Sequence, residues 1–180
     1  MVAFASVFEH PERATRLVLM DAPIPGIGRW EEILKNPLLW HFRFGGPDME
    51  RLVAGRERIY LDRFWNEFSA TPAKFSEASR QHYAAIDAMP GAMHAGFSQF
   101  ATFDQDAVDN RAFLAAKGKL GLPVLAVGGE KSFATMMATD AQAGFTNVQG
   151  AVVPDAGHWL MEEQPAATVK VIRAFLDRGL

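Results

Sequence analysis

The clearest fold signal in this sequence is the segment Val148-Gln149-Gly150-Ala151-Val152-Val153, which runs directly into the loop Pro154-Asp155-Ala156-Gly157-His158. A short, mainly apolar run that ends at turn-forming residues predicts a β-strand. Two similar runs precede it, Arg16-Leu17-Val18-Leu19-Met20 and Leu122-Pro123-Val124-Leu125-Ala126-Val127. Continuous apolar runs of this length are typical of strands that are buried on both faces of a parallel sheet.

Helical patterns separate these three predicted strands. One helix is predicted from the start of the chain to His10, where the following proline stops it. Others are predicted at about residues 132–143 and Gln164–Leu176. Strands that alternate with helices indicate an α/β fold, in which helices cover a parallel sheet. Three strands leave both sheet edges open, so an exposed edge is a candidate contact for a homo-oligomer.

The segment between the first and second strands is rich in aromatic residues and helical throughout. We predict one long amphipathic helix over Met49–Phe68, with Leu52 and Ile59 among its apolar positions. A second helix is predicted to follow Thr71-Pro72, because threonine at the N-cap and proline at the first helical position form a start signal. Two more are predicted at about residues 91–103 and 106–116.

An insertion of helices between two strands predicts a cap over the strand ends. The domain organisation that we expect has three parts. Residues 1–28 and 118–180 are two core segments that together contain the strands, and residues 29–117 are the helical cap.

Each predicted strand delivers polar residues to its C-terminal end. Asp21 follows the first strand, Glu130 the second, and His158 the third. Open parallel sheets bind ligands beyond these ends. A carboxylate beside a histidine makes a general base, because it holds the imidazole tautomer and offsets the charge that develops on the ring. We therefore predict His158 as a catalytic base, with Asp21 or Glu130 as its carboxylate.

Each of these residues also has a simpler structural interpretation. Asp21 is a common residue type in turns. Glu130 lies near a predicted helix N-terminus, where acidic side chains are favoured. His158 follows a glycine that permits a tight loop, and a loop histidine can be merely exposed.

The predicted cap contains several side chains that could line a substrate pocket. The candidates are Trp40, His41, Tyr60 and Tyr83. Aromatic residues at helical spacing usually belong to a core, but an apolar pocket is lined in the same way, and a Trp N–H or Tyr O–H could bind a halide or an oxyanion. The histidines show no metal-ligand spacing, so we expect no metal and no cofactor.

The composition excludes several classes of function. Cysteine is absent, which excludes disulfides and thiol catalysis. The net charge is −3 and basic residues are scattered, so no nucleic-acid or membrane partner is expected. No apolar run approaches the ~20 residues of a membrane span. We expect a cytoplasmic protein that acts on a small apolar organic molecule.

The same residues carry a family resemblance that covers essentially the whole chain. The run from His10-Pro11-Glu12-Arg13 to Asp21 resembles the helix and strand that follow the nucleophile in α/β-hydrolases. The segments Gly128–Phe133 and Pro154–Trp159, with Glu162-Glu163-Gln164-Pro165, resemble the last two strand ends of that fold. The chain is most similar to epoxide hydrolases and to haloalkane and fluoroacetate dehalogenases. The implied fold class is a partial α/β-hydrolase fold with a helical cap.

This resemblance implies a reaction and assigns roles. His158 matches the base that activates water to hydrolyse a covalent ester intermediate, and Asp21 matches the supporting acid of fluoroacetate dehalogenase-like members. Glu130 lies near the alternative position for that acid. Trp40-His41-Phe42 resembles the cap segment that lines the leaving-group pocket. Phe100 lies about where epoxide hydrolases have a ring-opening tyrosine, and it lacks the hydroxyl.

The nucleophile of the family has no match in the 180 residues, because neither G-x-S-x-G nor Gly-His-Asp-x-Gly occurs. We expect it upstream of Met1, so that the chain is a C-terminal fragment. Three functional hypotheses follow: an epoxide, carbon–halogen or ester hydrolase with an aspartate nucleophile, a serine-type esterase or acyl hydrolase, and a truncated chain without activity.

Overall fold

A parallel three-stranded sheet lies at the centre of the part of the chain that the computed structural model describes, residues 1–178. Its strands are β1 (Leu17–Met20), β2 (Val124–Gly129) and β3 (Val148–Val153), in the order β1-β2-β3. Met20 is level with Val127, and Gly129 is level with Val153. The bounds of β3 are those that the sequence predicts, and the fold class is confirmed.

Helices make up most of the remaining structure. They are α1 (Val2–Glu9), α2 (Trp30–Ile33), α3 (Pro47–Val53), α4 (Glu57–Glu67), α5 (Glu77–Asp87), α6 (Ala92–Ala101), α7 (Phe103–Lys117), α8 (Met136–Ala141), α9 (Leu160–Glu163) and α10 (Pro165–Leu176). Short 3₁₀ helices lie at Pro11–Arg13, Pro37–Arg43 and Pro72–Lys74. Everything from α2 to α7 lies between β1 and β2 in the sequence. The boundaries at residues 28/29 and 117/118 stay a prediction.

The two faces of the sheet are covered by different helices, as the alternation of side chains along a strand requires. Val124 packs in a cluster with Phe4 and Phe8 of α1. Leu125 and Val127 point the opposite way, into a cluster that includes Phe175 of α10. Only β2 is buried along its whole length.

The prediction of a strand buried on both faces is therefore wrong for β1 and holds for β2. Met20 at the end of β1 is exposed, and most residues of β3 are only partly buried. The physical reason is their position, because each has a paired neighbour on one side alone among the described residues.

The long helix predicted over Met49–Phe68 is two helices, α3 and α4. Gly55 breaks it with φ of +75°, a backbone conformation that glycine adopts without strain. The N–H of Gly55 donates to the side chain of Glu57 at 2.9 Å, and this hydrogen bond spans the turn before α4. The break changes which side chains face inward, and Leu52 and Ile59 are exposed at 61% and 71%.

Three other predicted helix starts are shifted. Thr71-Pro72 begins a 3₁₀ turn, while α5 is capped by Ser76, whose side chain accepts the N–H of Ser79 at 3.1 Å. Helix α7 begins at Phe103, three residues before the predicted start. Helix α8 is shorter than the predicted residues 132–143, because Ala134 has φ of +46° and the chain turns before it.

All three strands end on the same side of the sheet, so their following loops meet. The N–H of Asp21 donates to Val127 O at 2.8 Å, and the N–H of Glu130 donates to Val153 O at 3.0 Å. These bonds continue the ladder one residue beyond β1 and β2 and fix where their loops start. Within residues 1–178, no helix is both long and apolar enough to cross a membrane.

Candidate active site

Asp21 is the buried centre of the loops at the strand ends. It is 1% exposed and has φ of +41°, a left-handed conformation that aspartate tolerates better than most residues. Its Oδ2 accepts the backbone N–H of Gly129 at 2.6 Å, and its Oδ1 accepts the hydroxyl of Ser132 at 2.6 Å. A buried carboxylate needs such donors, because burying an unpaired charge is costly.

His158 completes this arrangement from the loop after β3. Its Nδ1 lies 3.0 Å from Oδ1 of Asp21. Since an ionised carboxylate can only accept, Nδ1 carries the proton and Nε2 is left as the basic nitrogen. The ring is partly buried and lies beside a cavity. The geometry is that of an imidazole held in one tautomer by a carboxylate, which is suited to taking a proton from water.

Glu130 does not share this position. Its side chain is 44% exposed, accepts the N–H of Asp155 at 3.2 Å and lies 3.4 Å from Lys131 Nζ. The hydrogen bond from Asp155, followed by that from Lys131, lowers the pKa of Glu130. Of the two carboxylates considered from the sequence, the structure brings Asp21 to His158 and leaves Glu130 on the surface.

A cavity of about 630 Å³ lies between the strand-end loops and the helices that follow β1. His158, Ser132 and Trp159 line it from the sheet side. Aromatic rings form much of the opposite wall: Phe42, Phe64, Phe68, Phe100 and Phe103. Such an apolar enclosure with a few polar groups at one end is typical of small-molecule sites.

His41 is the polar residue of the aromatic wall. Its buried ring packs against Phe64 and Phe100, with centroid distances of 4.9 and 5.2 Å. Burial lowers the pKa of His41 to about 4, and the nearby charge of Arg63 acts in the same direction. His41 is therefore neutral near pH 7 and is able to donate a hydrogen bond without carrying a charge.

Comparisons with known proteins agree with this architecture. No family model matches the chain. It is 27% identical over 182 residues to the soluble epoxide hydrolase of Corynebacterium sp. (strain C12), a match that covers 97% of this chain and 62% of that protein. The crystal structure of Cfl2 from Burkholderia cenocepacia has a TM-score of 0.83 and 31% identity, over 97% of this chain and 61% of that one. The structure of the epoxide hydrolase CorEH has a TM-score of 0.83 and 26% identity, over 98% and 64% of the two chains.

These similarities agree with an α/β-hydrolase fold, and two of the three proteins are epoxide hydrolases by name. The family resemblance found in the sequence is thus confirmed. The chain spans about three fifths of the length of these relatives.

Three of the predicted pocket residues lie outside the cavity lining. Trp40 is partly exposed and stacks under the guanidinium of Arg63, whose Cζ lies 4.5 Å from the ring centroid. Tyr60 packs between Phe44 and Phe97, and burial raises its pKa to about 12.

Tyr83 lies on the surface, where its hydroxyl donates to Glu162 at 2.5 Å and this bond raises the pKa of Tyr83. The contacts of these three side chains are therefore packing contacts, for Trp40 and Tyr60, and a surface hydrogen bond, for Tyr83. His41 is the member of the predicted set that lines the cavity.

Sequence reasoning assigned no role to two residues that hold the site together, Ser132 and Glu163. Ser132 closes the loop after β2 onto Asp21. Glu163 is buried beneath the loop that carries His158. A signal for both was present, since each lies in one of the short polar segments that follow the second and third strands. Among residues 1–178, no group of three or more His, Cys, Asp or Glu side chains is arranged to hold a metal ion.

Proposed function

We propose that this chain supplies the water-activating half of a hydrolase site for an epoxide, a carbon–halogen bond or an ester. In this proposal His158 is the general base and Asp21 orients it. The observation that carries the proposal is the 3.0 Å contact between Nδ1 of His158 and the buried Oδ1 of Asp21, beside an aromatic cavity.

The base step follows from the chemistry of this pair. A water molecule attacks the carbonyl carbon of a covalent ester, and its proton passes to Nε2 of His158. Asp21 stabilises the imidazolium that forms, while Gly129 and Ser132 also donate hydrogen bonds to its carboxylate. General-base catalysis of this kind contributes roughly 10²–10⁴-fold to a rate.

The ester itself needs a nucleophile, which the proposal places in a segment upstream of Met1. A carboxylate there would attack the substrate carbon and form the ester, with opening of the epoxide or loss of the halide. A serine there would instead form an acyl-enzyme by expelling the alcohol of an ester substrate. His158 could serve as the base in either case.

The proposed substrate is small and mainly apolar, because the cavity wall opposite His158 is aromatic. His41 is the proposed donor to the leaving oxygen or halide, since it is neutral and lines the cavity. Phe100 lines the same cavity and lacks a hydroxyl, so a second oxygen donor at that position is absent. This feature favours a halide or ester substrate over an epoxide whose ring is opened by a hydroxyl at that position.

The test is a search for a trapped intermediate in the protein purified at its native length, which intact mass spectrometry establishes first. His158→Gln should form the ester but hydrolyse it slowly. With a carboxylate nucleophile the expected adduct equals the whole epoxide or the haloalkane minus HX, so its mass also identifies the reaction. A serine nucleophile needs His158 to accept its proton, so His158→Gln should then lose turnover without forming an adduct. His82→Gln, an exposed histidine on α5, is the matched control and should show turnover without an adduct.

Two results would contradict the proposal. Turnover by His158→Gln at the wild-type rate would remove His158 from the base role. Native protein that forms no adduct and hydrolyses none of the three substrate classes would favour the inactive-chain hypothesis.

Association through the open edge of β1 is then the remaining proposal, and a monodisperse monomer in size-exclusion chromatography would exclude it.

A further inference from the structure

Glu163 is a fully buried carboxylate with two backbone partners from distant segments. It is 1% exposed and lies at the end of α9. Its Oε2 accepts the N–H of Gly157 at 2.6 Å, and its Oε1 accepts the N–H of Thr71 at 2.8 Å. Gly157 directly precedes His158, whereas Thr71 lies 92 residues before Glu163 in the segment after α4.

These bonds make Glu163 a bridge between two parts of the molecule. An ionised carboxylate that is removed from water needs strong donors, and both of its oxygens receive one. The backbone is closely packed at Gly157, since an added Cβ there would lie 2.4 Å from Phe68 O. The short distances and the burial indicate that both segments are held at fixed positions relative to Glu163.

Further contacts connect the same two segments. The N–H of His158 donates to Phe68 O at 2.8 Å, and the indole N–H of Trp159 donates to Phe64 O at 3.1 Å. The loop is therefore attached to the C-terminal end of α4 at His158 and at the residue that follows it. Glu163 is the charged member of this set, and it acts on the residue directly before the imidazole.

We propose that Glu163 is a positioning residue for His158. By fixing Gly157 and Thr71 together, it keeps Nδ1 of His158 on Asp21 and keeps Nε2 turned toward the cavity. The mechanism is indirect, since Glu163 contacts neither imidazole nitrogen. This inference rests on the proposed role of His158 as a base, and it predicts that the ring orientation depends on a carboxylate that lies outside the cavity lining.

The test compares Glu163→Gln with Glu162→Gln by NMR. The glutamine at 163 keeps the side-chain size but turns one acceptor into a donor that faces an N–H group. We expect the amides of Gly157 and Thr71 to exchange with solvent at least tenfold faster than in the wild type. We also expect the His158 Nδ1 proton signal to weaken or disappear. Glu162→Gln, which loses only the surface contact with Tyr83, should change neither.

An unchanged Nδ1 signal in a folded Glu163→Gln would overturn the positioning role, because a purely structural effect leaves the His158–Asp21 bond in place. If Glu163→Gln does not fold, the wild type supplies the test. In the wild type, the amides of Gly157 and Thr71 should be among the protected ones, and exchange at the rate of exposed loops would refute the bridge. None of these measurements requires hydrolysis. A result that contradicts the role of Glu163 can therefore be told apart from a result that contradicts the proposed hydrolase function.

Discussion

The loops at the strand ends and the helical segment from α2 to α7 are built in different ways. In the loops, specific hydrogen bonds define the geometry, as at Asp21, whose carboxylate has three donors. In the helical segment, ring-on-ring packing dominates, as around His41. The positions of the polar groups are thus determined by where the strands end, whereas the shape of the cavity wall is determined by the packing of aromatic side chains.

The largest expected loss of stability comes from a substitution at the contact between the strand-end loops and the helical segment. An added Cβ at Gly157 would lie 2.4 Å from Phe68 O and 2.5 Å from Ala70 N. Because backbone cannot yield as a side chain does, we expect Gly157→Ala to lower the free energy of unfolding by more than about 3 kcal/mol. Urea denaturation measures the loss.

Gly55→Ala is the matched control within the helical segment. It has φ of +75°, but an added Cβ there meets open space. We expect a cost of only about 1 kcal/mol, from backbone strain alone. Equal losses for the two variants would show that the tight contact between loop and helical segment is not formed.

The next largest effect on stability distinguishes the two carboxylates at the strand ends, Asp21 and Glu130. Asp21→Asn leaves a buried amide nitrogen facing donors, so we expect a loss of about 2–3 kcal/mol in the free energy of unfolding. Glu130→Gln removes an exposed charge and should leave the urea midpoint of unfolding nearly unchanged. If both substitutions lowered the free energy of unfolding by similar amounts, the buried position of Asp21 and the exposed position of Glu130 would be contradicted.

The smallest effect concerns the helical segment and depends on pH. The pKa of His41 is about 4 in the folded chain, below its unfolded value of about 6.5. As pH falls below about 6.5, the unfolded state binds a proton that the folded state does not. Stability is therefore lost between about pH 6.5 and pH 4, at up to about 1.4 kcal/mol per pH unit.

His41→Phe should remove this contribution while keeping an aromatic ring beside Phe64 and Phe100. We expect the wild type to lose about 2 kcal/mol more than the variant between pH 7 and pH 5. Thermal melts at a series of pH values measure the difference. Parallel pH profiles for the two proteins would contradict the buried, neutral state of His41.

The sequence was a good guide to the strand-end loops for a physical reason. Parallel strands bring their C-terminal ends to one edge, so the positions of Asp21 and His158 along the chain were enough to predict that they lie close together. Asp21 is favoured over Glu130 from the sequence because its placement at the strand end fits better and an aspartate reaches a histidine at the same edge from a short loop. The burial of Asp21 depends on the loops that fold over it, which the sequence does not show.

The helical segment was harder to predict because its pattern is compatible with several packings. Gly55 lies within an apolar periodicity that fits one long helix, and only its φ of +75° reveals the break. Trp40 and Tyr60 have the residue types of a pocket lining, but Arg63 and Phe44 occupy their ring faces. Which aromatic ring faces a cavity is decided by contacts between residues that are distant in sequence.

The most direct test of the central claim is the NMR signal of the His158 Nδ1 proton, recorded in the wild type, in Asp21→Asn and in Glu130→Gln. If His158 is held by the buried carboxylate of Asp21, the wild type and Glu130→Gln will show a protected signal far downfield of the backbone amides, and Asp21→Asn will lose it. A signal that persists in Asp21→Asn, or that disappears in Glu130→Gln, would contradict the assignment of Asp21 as the partner of His158.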